Sequence, residues 1–171
     1  MGLLRVIESA PFCAWVRESN SLWAYPGILF LHTLTMAIVV GISVMVALRL
    51  LGFAPRLPVA PLARFFPVLW GAFWLSALSG TILLAVDATA KLRNPVFGLK
   101  MLLIALAAGD MVLVRRVVAG DAVLDAGVVS RGKLIAAAAV LLWLGAVTAG
   151  RLMAYLGVIA SAAGAADGFY G

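Results

Sequence analysis

From residue 22 to residue 48 the chain carries no Asp, Glu, Lys or Arg, and Arg49 ends the run. About 20 apolar residues at a 1.5 Å rise are enough to cross the hydrocarbon core of a bilayer. The pattern recurs three times: at about residues 65–86, between Arg64 and Asp87; at about 96–114, ending at Arg115 and Arg116; and at about 134–159, opening after Lys133. These runs predict four transmembrane helices. The helix-entry chemistry agrees. Pro26 and Pro67 fall in the first turns of the first two runs, where a missing N–H is harmless. Asn94-Pro95 reads as N-cap and first helical residue of the third, and Ser130 as the cap of the fourth.

Residues 2–20 are too broken by charge to cross. Leu3, Leu4, Ile7, Phe12, Trp15 and Val16 alternate with Arg5, Glu8, Arg17 and Glu18. Pro11 suits the start of a short helix ending near Arg17, and Trp15 suits the headgroup region, so an interfacial amphipathic helix is expected here. Arg5 and Glu8 interrupt any signal-peptide core and no small-x-small site follows, so this segment is expected to stay attached. Residues 161–171 are rich in small side chains and read as a flexible tail. The expected fold is therefore all-α: residues 1–160 as a single polytopic membrane domain, a four-transmembrane-helix bundle with an N-terminal interfacial helix.

Composition sharpens this. Of 171 residues, 65% are hydrophobic and 12% charged, with a mean hydropathy of +1.14; a soluble domain has roughly 25% charged residues. The net charge of +6 does not imply nucleic acid, because the basic residues sit in short loops between apolar runs. Seven of them (Arg49, Arg56, Arg64, Arg115, Arg116, Arg131 and Lys133) fall in the loops after the first and third runs. Five (Arg5, Arg17, Lys91, Arg93 and Arg151) fall on the other side. The positive-inside bias then predicts that both termini lie outside, opposite the cytoplasm. The expected partners are lipid, and other membrane subunits or a second copy of the chain. Ala72, Ser76 and Gly80, and likewise Gly145 and Ala149, recur at every fourth position, a spacing that lets helices approach closely. Trp23, Tyr25, Trp70, Trp74 and Trp143 read mostly as interfacial anchors. Cys13 is the only cysteine and forms no disulfide within the chain.

His32, the only histidine, lies about ten residues, or ~15 Å, into the first run. Lys100 lies about five residues into the third from the same side, ~7–8 Å down. Asp87 closes the second and Arg151 comes late in the fourth. Each helix thus brings one ionisable group to the outer half, where burial costs favour pairing or a site. Blander roles stay open: Lys100 and Arg151 can snorkel, Asp87 can pair with Lys91, and a neutral His32 can bond a neighbouring carbonyl. Met36 shares a helical face with His32, and Met101 and Met153 neighbour Lys100 and Arg151. Imidazole with thioether is a soft set for Cu(I), and His–Met pairs also hold haem iron. On the inner side Arg49, Arg64, Asp110, Arg115 and Arg116 read as topology determinants, with Asp110 neutralised by a nearby arginine. No nucleophile–base motif, phosphate loop or Cys cluster is present.

Three stretches, SLWAYPGILFLHTLTMAIVVG, RFFPVLWGAFWLSALSGTILLAVDATAKLRNPVFGLKM and TAGRLMAYLG, resemble an uncharacterised bacterial family of small four-helix membrane proteins. The layout is more distantly similar to the copper-resistance protein D family and the J-type protoporphyrinogen oxidases. The shared features are a histidine in the first helix, Ser79-Gly80 in the second and Lys100 early in the third. In the oxidase family a histidine and a lysine at comparable places go with haem b, which implies His32 and Lys100 here. The expectation is a redox-type component that holds haem b, or copper, in the outer half of the bundle. His32 would be the axial ligand, with Lys100, Met101 or Met153 opposite and Arg151 and Lys91 for the propionates. With one histidine, bis-histidine ligation within a single chain is out of reach. Two alternatives stand beside it: a structural or assembly subunit of a larger membrane complex, and a small transport protein for a metal or other solute.

Overall fold

The computed structural model describes residues 6, 8–56, 58, 60–119 and 126–167. Within them the chain is helical, and four helices are long and apolar enough to cross a membrane. This is an all-α, polytopic integral membrane protein.

A short helix α1, Pro11–Glu18, begins at its proline and ends beside Arg17. It is amphipathic: Cys13 and Val16 turn inward onto Val86, with Ala10, Ile28 and Ala85 around them, while Phe12 and Trp15 stay exposed. The lone cysteine is thus a small buried apolar residue.

Helix α2, Tyr25–Leu51, has 27 residues and a proline in its first turn. It ends at Gly52, whose φ of +106° is the left-handed conformation that closes helices. The Gly52 and Phe53 N–H groups donate to the free carbonyls of Arg49 and Leu48. A 3₁₀ segment, Ala60–Phe65, leads into α3, Phe66–Ala85, which has Pro67 in its first turn. Between α3 and the next span lies a six-residue helix, α4, Ala88–Arg93, where the sequence pattern indicates only a loop. Asn94 then caps α5, Pro95–Ala119: its Oδ1 accepts the Val96 N–H at 3.0 Å.

Helix α6, Ala126–Asp167, is the longest, at 42 residues. It starts before Ser130, so Ser130 lies inside the helix and is not its N-cap. It also runs past residue 159, so residues 161–167 continue α6; residues 168–171 of the expected tail lie outside the described residues. The extension is alanine-rich, and alanine is the strongest helix former.

α2 packs against α3 and α6, and α5 packs against α6. Val39, Val46, Leu69, Met111, Val114 and Trp143 form the centre of the core. Trp143 is 1% exposed, so it is a core residue and not a belt anchor. Small residues set the close approaches: Ala72, Ser76 and Ala149 are buried, and a Cβ on Gly145 would come 3.3 Å from Leu103 of α5. With four spans, α1, α4 and the C-terminal part of α6 lie at one end of the bundle.

Candidate functional site

His32 projects from α2 onto α3. Its Nδ1 lies 2.9 Å from the Ser76 carbonyl oxygen and 3.2 Å from Ser79 Oγ. A carbonyl only accepts, so Nδ1 carries a ring proton, and in the neutral imidazole Nε2 keeps its lone pair. Ser79 Oγ is itself committed to the Leu75 and Ser76 carbonyls, at 2.8 and 3.1 Å. The ring rests on Gly80, where a Cβ would fall 2.9 Å from His32 Cε1. The small residues at 76 and 80 therefore form a seat for the imidazole as well as a helix contact.

The other outer-half residues divide. Lys100 of α5 is half-buried against α6, its Nζ and Cε 3.7 Å from the position a Cβ would take on Gly150. Its charge reaches His32, and that of Lys91 reaches Lys100. Lys91 is already engaged: its ammonium donates to the Leu83 carbonyl in the last turn of α3, where a cation complements the helix dipole. Burial pushes the Lys91 ammonium down from the usual lysine range, and the charge of Asp87 pushes it partly back. Asp87 forms no ion pair with Lys91; it is exposed at the start of α4, and its backbone carbonyl accepts the Lys91 N–H. Arg151 and Met101 are exposed, Met153 is half-buried, and Met36 packs against the main core. Among the described residues the one ion pair is Arg17–Glu18 on α1, 3.3 Å long and exposed, a class of contact worth little.

Glu8 lies outside the sequence-derived set. Its Oε1 accepts the Thr89 N–H at 2.6 Å, which caps α4 and ties the N-terminal segment to the outer loop. This bond, with a smaller contribution from Arg17, holds the Glu8 carboxyl below the usual glutamate range.

For haem, the fit is partial. A metal-bound imidazole commonly gives its other N–H to a carbonyl, as His32 does, leaving Nε2 open. Of the three residues expected opposite it, Met101 faces outward, while Lys100 and Met153 are half-buried; neither the cavity beside Asp110 nor the cleft beside Arg115 is lined by His32. Among the described residues no three His, Cys, Asp or Glu side chains come together as a metal set.

The inner half departs further from the sequence reading. Asp110 of α5 is 7% exposed and makes no ion pair or hydrogen bond with a described residue, the arginines among them included. Arg115 instead lines a separate cleft with Ala63, Phe66, Pro67 and Trp70. Asp110 faces a cavity of about 10 Å³, the room of roughly one water. Ser43 of α2 and Trp143 of α6 line the same cavity, and their Oγ and Nε1 atoms have no hydrogen-bond partner.

Comparison with known proteins returned no match: no family, curated protein or solved structure is significantly similar to the chain. What the fold defines is thus a class, a small four-span integral membrane protein.

Proposed function

We propose that this protein binds an anionic group in the outer half of its bundle, at Lys100, with His32 in the same half. Lys100 is the observation that carries the reading. Its ammonium is drawn against Gly150, shares its surroundings with His32 and Lys91, and has no carboxylate in contact among the described residues. An uncompensated cation at this depth is unfavourable, and an anion offsets it. Haem b is the anionic cofactor that the sequence resemblance implies, through its propionate carboxylates, with His32 Nε2 as the open ring nitrogen. Copper on His32 and Met36 is the metal alternative, and a small anionic solute is the transport form of the same reading. We place the protein in the bacterial inner membrane with both termini periplasmic.

The contacts His32–Ser76 and Lys91–Leu83 favour a second reading, a structural or assembly subunit whose polar groups fasten helices. An absorption spectrum and metal analysis of the detergent-purified protein separate the two. Bound haem gives a Soret band that His32→Ala abolishes and Lys100→Met weakens; copper gives near-stoichiometric metal, lost in His32→Ala and Met36→Leu. For colourless, metal-free protein the comparison is thermal stability with and without acetate or phosphate. A rise in the wild type that Lys100→Met loses supports the anion site. No chromophore, no metal and no such difference overturns it and leaves the structural reading.

A further inference from the structure

We propose that Asp110, Ser43 and Trp143 form a proton-binding site in the inner half of the bundle, with one water held among them. The site is separate from the outer-half cluster and does not depend on it.

Three observations converge. Asp110 is a carboxyl buried within a membrane span, without a cation or donor from the described residues. Ser43 and Trp143 are 7% and 1% exposed, both line the same small space, and each carries a buried polar atom without a hydrogen-bond partner. The three residues come from three helices, α2, α5 and α6. None of the other cavity-lining residues, on α2, α3, α5 or α6, is titratable or charged. Of the basic groups of that end, Arg56, Arg64, Arg115, Arg116, Arg131 and Lys133 are exposed and form no ion pair with Asp110, and the half-buried Arg49 donates to the Pro55 carbonyl.

The hydrogen-bond inventory then selects the occupant. Trp143 Nε1–H can only donate, so it needs an acceptor. A water accepts from it and donates to Ser43 Oγ and to an Asp110 oxygen, which meets the need of a buried water for two to four polar partners. A metal ion does not suit the space, because an indole N–H cannot coordinate it and a hard cation takes several oxygen ligands. A carboxylate in this apolar setting lacks a counter-charge, and uptake of a proton from water removes that cost. In the step, one carboxylate oxygen of Asp110 bonds the incoming proton, giving a neutral acid whose O–H donates to the bound water. No other bond changes. Proton release is the reverse.

Infrared spectroscopy of protein labelled with ¹³C at the aspartate side-chain carboxyl tests this directly, in detergent or lipid near neutral pH. The expected result is a carboxylic-acid C=O band that shifts in D₂O and is missing from Asp110→Asn. Ser43→Ala and Trp143→Phe should each move that band, because each removes one hydrogen bond from the shared water. These two variants keep Asp110, so the test survives if Asp110→Asn fails to fold. No protonated-acid band at any pH, or a band untouched by both Ser43→Ala and Trp143→Phe in folded protein, overturns the proposal.

Discussion

At the scale of single residues, His32 shows how one side chain serves two demands. An imidazole within an apolar span must satisfy its N–H, and the Ser76 carbonyl does so only because residue 80 has no side chain. Gly80→Ala puts a methyl 2.9 Å from the ring. It should cost about 1–3 kcal/mol, the usual range for overpacking. In a His32→Ala background the obstacle is gone, and the same substitution should be close to neutral. Unfolding of the four proteins of this cycle in detergent reads the coupling. Additive costs would show that the ring is not what constrains position 80. The sequence marks both residues, His32 as the lone histidine and Gly80 as part of a small-residue ladder. That the two belong together depends on the rotation of α2 and α3 about their axes, which a one-dimensional pattern does not carry.

Helices are the next scale, and here the outer end is fastened by capping. Asn94 caps α5, Lys91 closes α3, and Glu8 caps α4 from far away in the chain. The Asn94-Pro95 signal is local and legible. The Glu8 contact spans 81 positions and has no local signature. It makes the seating of the N-terminal segment dependent on pH. A carboxyl held below its ordinary value contributes stability that is present above the unfolded-state value and lost as pH falls through the folded one. Acidification below the usual glutamate range should therefore loosen α1 while the spans persist. Amide exchange at Thr89 measures this, and Glu8→Gln should show faster exchange at neutral pH, with little further change on acidification. Equal acid sensitivity in wild type and variant would place the contact elsewhere.

Over the whole molecule, the charge distribution predicts an orientation. Reporter fusions after Arg116 and after Gly171 should give opposite outcomes, cytoplasmic and periplasmic, because the seven-to-five distribution of basic residues favours the loops after α2 and α5 inside. A cytoplasmic C-terminus would invert both sites relative to the two compartments. The fold places the half-buried Lys100 and the buried Asp110 on one helix, ten positions or about 15 Å apart, so α5 presents one ionisable group to each half of the membrane.

Hydrophobic period and helix-entry residues by themselves determined the class, the four spans and the amphipathic first helix, because crossing a bilayer requires long apolar helices whatever their neighbours. They also marked His32 and Lys100. The partners of these residues were decided only by tertiary packing. Lys91 turns to Leu83 and not to Asp87, Met101 faces outward, and Trp143 leaves the expected belt for the core. Asp110 was assigned an arginine partner, and none of the described arginines pairs with it; in the folded bundle it lines one cavity with Ser43 and Trp143, from helices far away in sequence. The physical reason is that apolar patterning sets which segments are buried in the membrane. Helix rotation and the close contacts of small residues set which polar atoms face each other inside it.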